Sequence, residues 1–448
     1  MSKIIDLNRR GFLMGAGSAA LGGALGGAPL IASADHHGGG GAGAGHPDFD
    51  ELYERVGSNC YKWDKQVERF GEEYFRIGMG VADMDFRVAP CVTEALHARV
   101  DHENWGYMHN QDGLKEAISA WGSERHGVEI DPSTIQISAG VHPALIAALY
   151  ALAPPGTQVL MNTPTYNGFY TDLRYSRTLA NENEMWKDSA GVYHIDWDDL
   201  EARMTPDTHA MLLCNPQNPT GNCWSEEDLM RIGEMCLEHD IVVLADEIHC
   251  DFIMAGQTYT PFASLPDRRI VDNSLTFKAI SKTFGLAGMK NAFFYSTNPT
   301  LLDRVVWRHR ADINTLGVVA NEAAYKQGAP WFDALLPYID ANHDFVENFV
   351  RERLEGVRYT KAQGTYLAWL DIAELEEGIE AERHASALGF DSADHYAEQW
   401  FVERAGVQMN PGANYGPGGL GHMRMNLGAP RPLIAEALER IEEAVRRA

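Results

Sequence analysis

The sequence predicts an α/β protein built on a mostly parallel sheet, and two observations carry that prediction. Short continuous apolar runs, "TQVLMN", "HAMLLCN" and "IVVLADE", have the uniform character of strands buried on both faces. Between the last two lies "SEEDLMRIGEMCLEHD", which opens on a serine cap with acidic residues in its first turn. Leu229, Ile232, Met235 and Cys236 then fall on one helical face. Strands alternating with such helices build a parallel sheet covered by helices.

The remaining elements follow in chain order. "GLKEAISAWGSERHG" places Leu114, Ala117, Ile118 and Trp121 on one face of a helix. "SAGVHPALIAAL" reads as a glycine turn feeding a helix, with Pro143 suited to its first turn. Near residue 330, "GAPWFDALLPYIDANHDFVENFVRERLEG" changes to long helical periodicity. A second α/β segment runs from there to the C-terminus, with "GTYLAWLDI" and "GHMRMNLGA" as its strands. No internal repeat is visible.

The chain has 448 residues, 45% hydrophobic and 22% charged, a globular profile long enough for two or three domains. Its net charge of -26, from 37 basic and 63 acidic residues, argues against nucleic acid or anionic lipid as partner. "NRRGFLMGAG" puts Arg9-Arg10 before a Gly-, Ala- and Leu-rich run to Ile31, and Ala32 and Ala34 offer a cleavage site. These features resemble a twin-arginine export signal, so a periplasmic protein is expected, with no membrane association after cleavage. Glycine dilutes the run too heavily for a membrane span. "DHHGGGGAGAGHPD" follows as a flexible linker whose histidines read as a solvated tail rather than metal ligands. The six cysteines show no C-x-x-C pair; Cys214 and Cys236 read as core residues, and a single disulfide elsewhere stays open.

Three polar motifs follow buried strands: "NPQNPTG" after "MLLC", "DEIH" after "IVVLA", and "SKTFGLAG" after "SLTFKAI". Open α/β sheets bind ligands at the carboxyl ends of their strands. Singly these are an Asn-Pro turn, a strand-end acid and a lysine; together they describe a site. The last motif lies in "SLTFKAISKTFGLAGMK", which holds Lys278, Lys282 and Lys290 among apolar neighbours. A buried amine is costly unless it is paired or chemically used.

Together with "VADMDF" and "GYMHNQDG", the motifs "CNPQNPTG", "DEIHCDF" and "SKTFGLAGM" resemble the class I/II aminotransferase group of fold-type I pyridoxal phosphate enzymes. More narrowly they resemble its cystathionine β-lyase-like branch of C–S lyases, over roughly residues 47 to 448. The resemblance implies a large domain with a mostly parallel seven-stranded sheet, at 91–325. A smaller α/β domain would be formed by an N-terminal segment, 47–90, and the C-terminal part, 326–448. The export signal would occupy 1–34 and the linker 35–46.

The resemblance also implies roles for particular residues. Lys282 matches the lysine that binds the cofactor aldehyde and, once freed by the substrate amine, moves the α-proton. It must be neutral to act as a base, and desolvation lowers a lysine pKa. Lys278, four residues earlier, is expected as a strand-end or surface lysine. Lys290 stands where many aminotransferases hold the phosphate with an arginine that the lyase-like branch often lacks. Asp246 matches the carboxylate that keeps the pyridine nitrogen protonated. His249 and Asn218 match groups that hydrogen-bond the ring hydroxyl, with a structural histidine as the rival for His249, and a cis Asn218-Pro219 bond is in keeping with X-Pro chemistry. Tyr166 matches the aromatic stacked on the ring. Backbone at Val141 and His142 forms the expected phosphate cradle at a helix N-terminus, with Ser281 as a further contact. Relatives often carry a serine where this chain has Ala279. Tyr107 matches a tyrosine that reaches the phosphate of a neighbouring subunit, which implies a homodimer. Arg424 matches the arginine that clamps the substrate α-carboxylate through its planar fork.

The expected activity is β-elimination on a sulfur-containing amino acid, releasing thiol, pyruvate and ammonia. An aminotransferase would use the same residues, and a racemase or sulfoxide lyase also fits the motifs. A silent binding protein on the same scaffold predicts loss of Lys282, Asp246 or Arg424, and all three are present.

Overall fold

A computed structural model describes residues 47–448, so the predicted leader and linker lie outside it. Seven strands form the central sheet: β1 (Gln136–Ser138), β2 (Gln158–Thr163), β3 (Leu179–Glu184), β4 (Thr208–Cys214), β5 (Val242–Asp246), β6 (Ser274–Lys278) and β7 (Ala292–Tyr295). Their spatial order is β1-β7-β6-β5-β4-β2-β3. Only β7 runs antiparallel to its neighbours, so the carboxyl ends of the other six share one edge. The apolar runs make central strands because both faces are covered: Leu212, Leu244, Leu275 and Phe277 pack into one core, Met211, Leu213 and Val243 into another.

One helix begins at the cap its sequence offers. The helix Glu226–Glu238 starts at Ser225, whose hydroxyl accepts from Asp228 N while the Asp228 carboxylate accepts from Ser225 N. It buries Leu229, Ile232, Gly233 and Cys236, with Met235 at the edge of that face. The helix Asp112–His126 buries Leu114, Ala117, Ile118 and Trp121 as patterned, and Gly122 beside them.

A smaller sheet pairs β8 (Leu367–Asp371) and β9 (Asn410–Pro411) with β10 (His422–Asn426), all antiparallel. The N-terminal segment joins this region: Ile77–Gly78 pairs in parallel with Val407–Gln408, and Trp63, Phe75 and Met79 share a core with Phe401, Met423 and Ile434. The long helix Ala329–Arg353, which runs through Pro337, links the two halves. Its first part, with Trp331, Phe332 and Leu335, packs in the core of Trp121 and Phe284; its last part, with Val346 and Phe349, packs in the core of the small sheet. The site lies between the halves that this helix ties together. Among the described residues no helix is long and apolar enough to cross a membrane.

Candidate active site

A cavity of about 900 Å³ opens at the carboxyl edge of the central sheet, between it and the small sheet. Five strands deliver residues to it. Beyond β1 come Val141 and His142, beyond β2 Tyr166, beyond β4 Asn218, at the end of β5 Asp246, and beyond β6 Ser281 and Lys282. Arg424 enters from β10 on the opposite wall, and His249 and Lys290 complete the set. Ten of the eleven residues singled out in the sequence therefore line one cavity. Tyr107 is the exception: it is fully exposed and lies outside the cavity of its own chain.

Lys282 donates from Nζ to the carbonyl of Ala82 at 2.8 Å and makes no ion pair among the described residues. Burial, with Arg424 close by, lowers its amine to about 8, against the pull of Asp83 and Asp246. Lys278 behaves differently. It is buried rather than on the surface, because β6 is covered on both faces, and its Nζ lies 3.3 Å from Glu247 Oε2. Burial opposes its charge, but Cys250 and Glu247 outweigh burial and hold the ammonium above its ordinary range.

Asp246 is buried at the end of β5, where Ile248 N, at 3.2 Å from Oδ1, donates to its carboxylate. Burial pushes this carboxyl up to about 7. Arg424 is 3% exposed and has no carboxylate partner among the described residues. Its Nη1 donates to Asn218 Oδ1 at 3.1 Å, its Nη2 to Gly80 O at 2.8 Å, and its Nε has no partner. His249 is buried with Nδ1 unpartnered, and burial together with Lys282 and Arg424 drives it well below the usual histidine range. The Asn218–Pro219 bond is cis. All six cysteines are free, Cys214 and Cys236 buried.

These features leave specific chemical demands. A buried carboxylate with so little compensation calls for a cation, which a protonated pyridine nitrogen supplies. The helix Val141–Leu152 starts at Gly140 with no side-chain cap, so its first amides are free for an anion such as phosphate. A buried guanidinium with no counter-ion calls for a carboxylate. An amine held near neutrality beside all three suits an aldehyde. Pyridoxal phosphate fits this donor set: Asp246 would hold its ring nitrogen, the Val141–His142 turn its phosphate, and Lys282 its aldehyde carbon.

Several contributors act in ways that no local sequence pattern shows. The "VADMDF" stretch acts through its backbone: Val81 O and Asp83 O accept from Asn426 Nδ2, and Ala82 O accepts from Lys282 and from the Tyr366 hydroxyl. Arg55 and Lys62 anchor its acids, Lys62 Nζ lying 2.6 Å from Asp85 Oδ2. The His142 side chain, cited above only for its backbone, bonds Asp172 and Tyr166. Pairings between residues so far apart in the chain leave no local pattern to read.

Fold and site together define a pyridoxal phosphate-dependent enzyme of fold type I. The sequence pattern of aminotransferase class I and II matches residues 76–441, and the chain belongs to that family. It is 39% identical over 406 residues to the cystathionine beta-lyase PatB of Bacillus subtilis (strain 168), covering 89% of this chain and 100% of that one. Cystalysin from Treponema denticola, whose crystal structure contains pyridoxal 5'-phosphate, is 30% identical with a TM-score of 0.81, over 90% of this chain and 99% of cystalysin. The PLP-bound C-S lyase from Staphylococcus hominis is 28% identical with a TM-score of 0.79, over 90% and 99%.

Proposed function

We propose that the chain is a C–S β-lyase that cleaves a sulfur-containing amino acid to a thiol, pyruvate and ammonia. The observation that carries this reading is the likeness to the cystathionine beta-lyase and C-S lyase relatives. The 2.8 Å bond from Lys282 Nζ to Ala82 O sets the reactive amine on "VADMDF", one of the stretches that carry that likeness. Bound in the cavity, pyridoxal phosphate supplies the electron sink that makes the substrate α-carbon acidic. Arg424 holds the α-carboxylate through the guanidinium N–H groups that Asn218 and Gly80 leave free. Lys282, lowered to about 8, accepts the α-proton. Asp246 keeps the positive charge on the ring nitrogen that the sink requires. The C–S bond then breaks with its electron pair on sulfur, and the released enamine hydrolyses to pyruvate and ammonia.

The family name supports a second reading, an aminotransferase, in which Lys282 would move the same α-proton and the bound cofactor would carry the amino group to a keto acid. Product analysis separates the two. The loaded enzyme is given L-cystathionine or an S-alkyl cysteine, with and without a keto acid. Equal pyruvate, ammonia and thiol without keto acid is the expected result; turnover only with keto acid makes it an aminotransferase.

The working assembly in this reading is a homodimer in which Tyr107 reaches the phosphate of the partner's site. Its full exposure supports this, as does the 54% exposure of nearby Trp105. Sedimentation showing a monomer that is fully active would overturn it. The protein is exported through its twin-arginine leader to the periplasm; a reporter fused to residues 1–40 that stays cytoplasmic with Arg9-Arg10 intact would contradict that.

A further inference from the structure

Behind Tyr166 lies a hydrogen-bonded chain that the reaction as described does not use. Asp172, on the helix Gly168–Ser176, is completely buried. Its two carboxylate oxygens lie 2.8 and 2.9 Å from His142 Nδ1, and His142 is its one side-chain partner among the described residues. The other ring nitrogen, Nε2, lies 3.1 Å from the Tyr166 hydroxyl. The two rings sit 5.5 Å apart at 33°.

The backbone is shaped to admit this contact. A Cβ on Gly168 would fall 2.5 Å from His142 Cε1 and 2.5 Å from Tyr166 Cε1, so only glycine leaves room for the two rings together. A carboxylate this deeply buried is costly unless a charged partner satisfies it. With Nδ1–H directed to Asp172, a protonated His142 also turns an N–H toward the Tyr166 oxygen. The hydrogen bond to Asp172 raises the imidazole above its ordinary value against burial, and the other charged groups facing it are Asp246 and Lys282.

We propose that Asp172 and His142 form a positioning pair that fixes the Tyr166 ring over the cofactor ring. The inference rests on the reading of Tyr166 as the stacking aromatic. A phenol held only by packing can rock about χ1 and χ2; one tied at its hydroxyl to an ion pair cannot. The His142 side chain acts through Tyr166, while its backbone belongs to the turn that would hold the phosphate.

The test is a coupling cycle on cofactor affinity, measured by titrating cofactor-free protein with pyridoxal phosphate and following its absorbance. His142→Val and Tyr166→Phe should each weaken binding by about tenfold, the worth of one hydrogen bond to a charged group. The double variant should be no weaker than either single one, because both remove the same bond. Independent losses that multiply in the double variant would overturn the proposal, since His142 would then act on the cofactor directly. Unchanged affinity in His142→Val would also overturn it. Asp172→Asn keeps the shape of the site should His142→Val fail to fold, and the same cycle applies to it. In cofactor-free protein, NMR should find His142 titrating above an ordinary histidine, and lower in Asp172→Asn. That titration is read without cofactor or substrate, so it stands apart from the reading of the active site; an unshifted His142 in the parent would contradict the pair.

Discussion

Lys278 and Lys282 stand four residues apart, one at the end of β6 and one just past it, yet their surroundings set them at different ends of an amine's range. Lys278 faces Glu247, whose carboxylate is also bonded by the Tyr259 hydroxyl and by Phe262 N at 2.8 Å. That is a closed structural network, and it keeps the ammonium charged. Lys282 faces a carbonyl, a guanidinium and an open cavity, and burial with Arg424 brings it to about 8. Burial alone therefore does not make a reactive lysine; the sign of the nearest charge does.

Exchanging the two roles should break the comparison most sharply. Lys282→Ala should lower β-elimination by about 10³-fold or more, the scale of a lost acid–base and covalent group, as read by pyruvate release. Lys278→Met should leave the cofactor on the protein but cost about 3 kcal/mol in urea unfolding, because Glu247 is left buried without its cation. If the two variants lost activity and stability alike, the distinction between them would be wrong.

Removing Arg424 sharpens the electrostatic side. Arg424→Gln should reduce kcat/KM by about 10²-fold through loss of the carboxylate clamp. Because Arg424 lowers Lys282, the variant should also shift cofactor capture to higher pH. The neutral amine reacts, so the capture rate rises as pH rises through the lysine pKa, and that rise should move upward.

Asp246 gives an inverted effect, a gain on removal. Its folded value, about 7, lies above the ordinary carboxylate value, so its contribution to stability is lost as pH rises from about 4 through 7. In cofactor-free protein, Asp246→Asn should gain on the parent over that window, by about 2–4 kcal/mol at pH 8, and bring no gain at pH 4. Thermal melts at the two pH values check this, and equal effects at both would refute it.

The sheet was legible because its strands are buried on both faces, which leaves uninterrupted apolar runs such as "MLLC" and "IVVLA" ending in polar motifs. Most cavity-facing side chains were legible because they lie at or just past the ends of the central strands; Arg424, in the middle of β10, was legible only through the resemblance. Lys278 was half legible: its place at a strand end could be read, but its burial depends on Glu247, just past the end of β5, and on Tyr259 from the loop beyond it. The Asp172–His142 pair was not legible, since 30 residues separate its members and only Gly168, read as a place where two rings must meet, hints at it. The backbone service of Val81, Ala82 and Asp83 was equally hidden, because a carbonyl leaves no residue-type signature.

The most direct measurement is chemical trapping of the lysine that holds the cofactor. The loaded protein is reduced with borohydride and digested, and the peptides spanning 274–290 are sequenced by mass spectrometry. A pyridoxyl group on Lys282, with Lys278 and Lys290 unmodified, is the predicted result. The group on Lys278, or on Lys290, would contradict the assignment of the reactive amine.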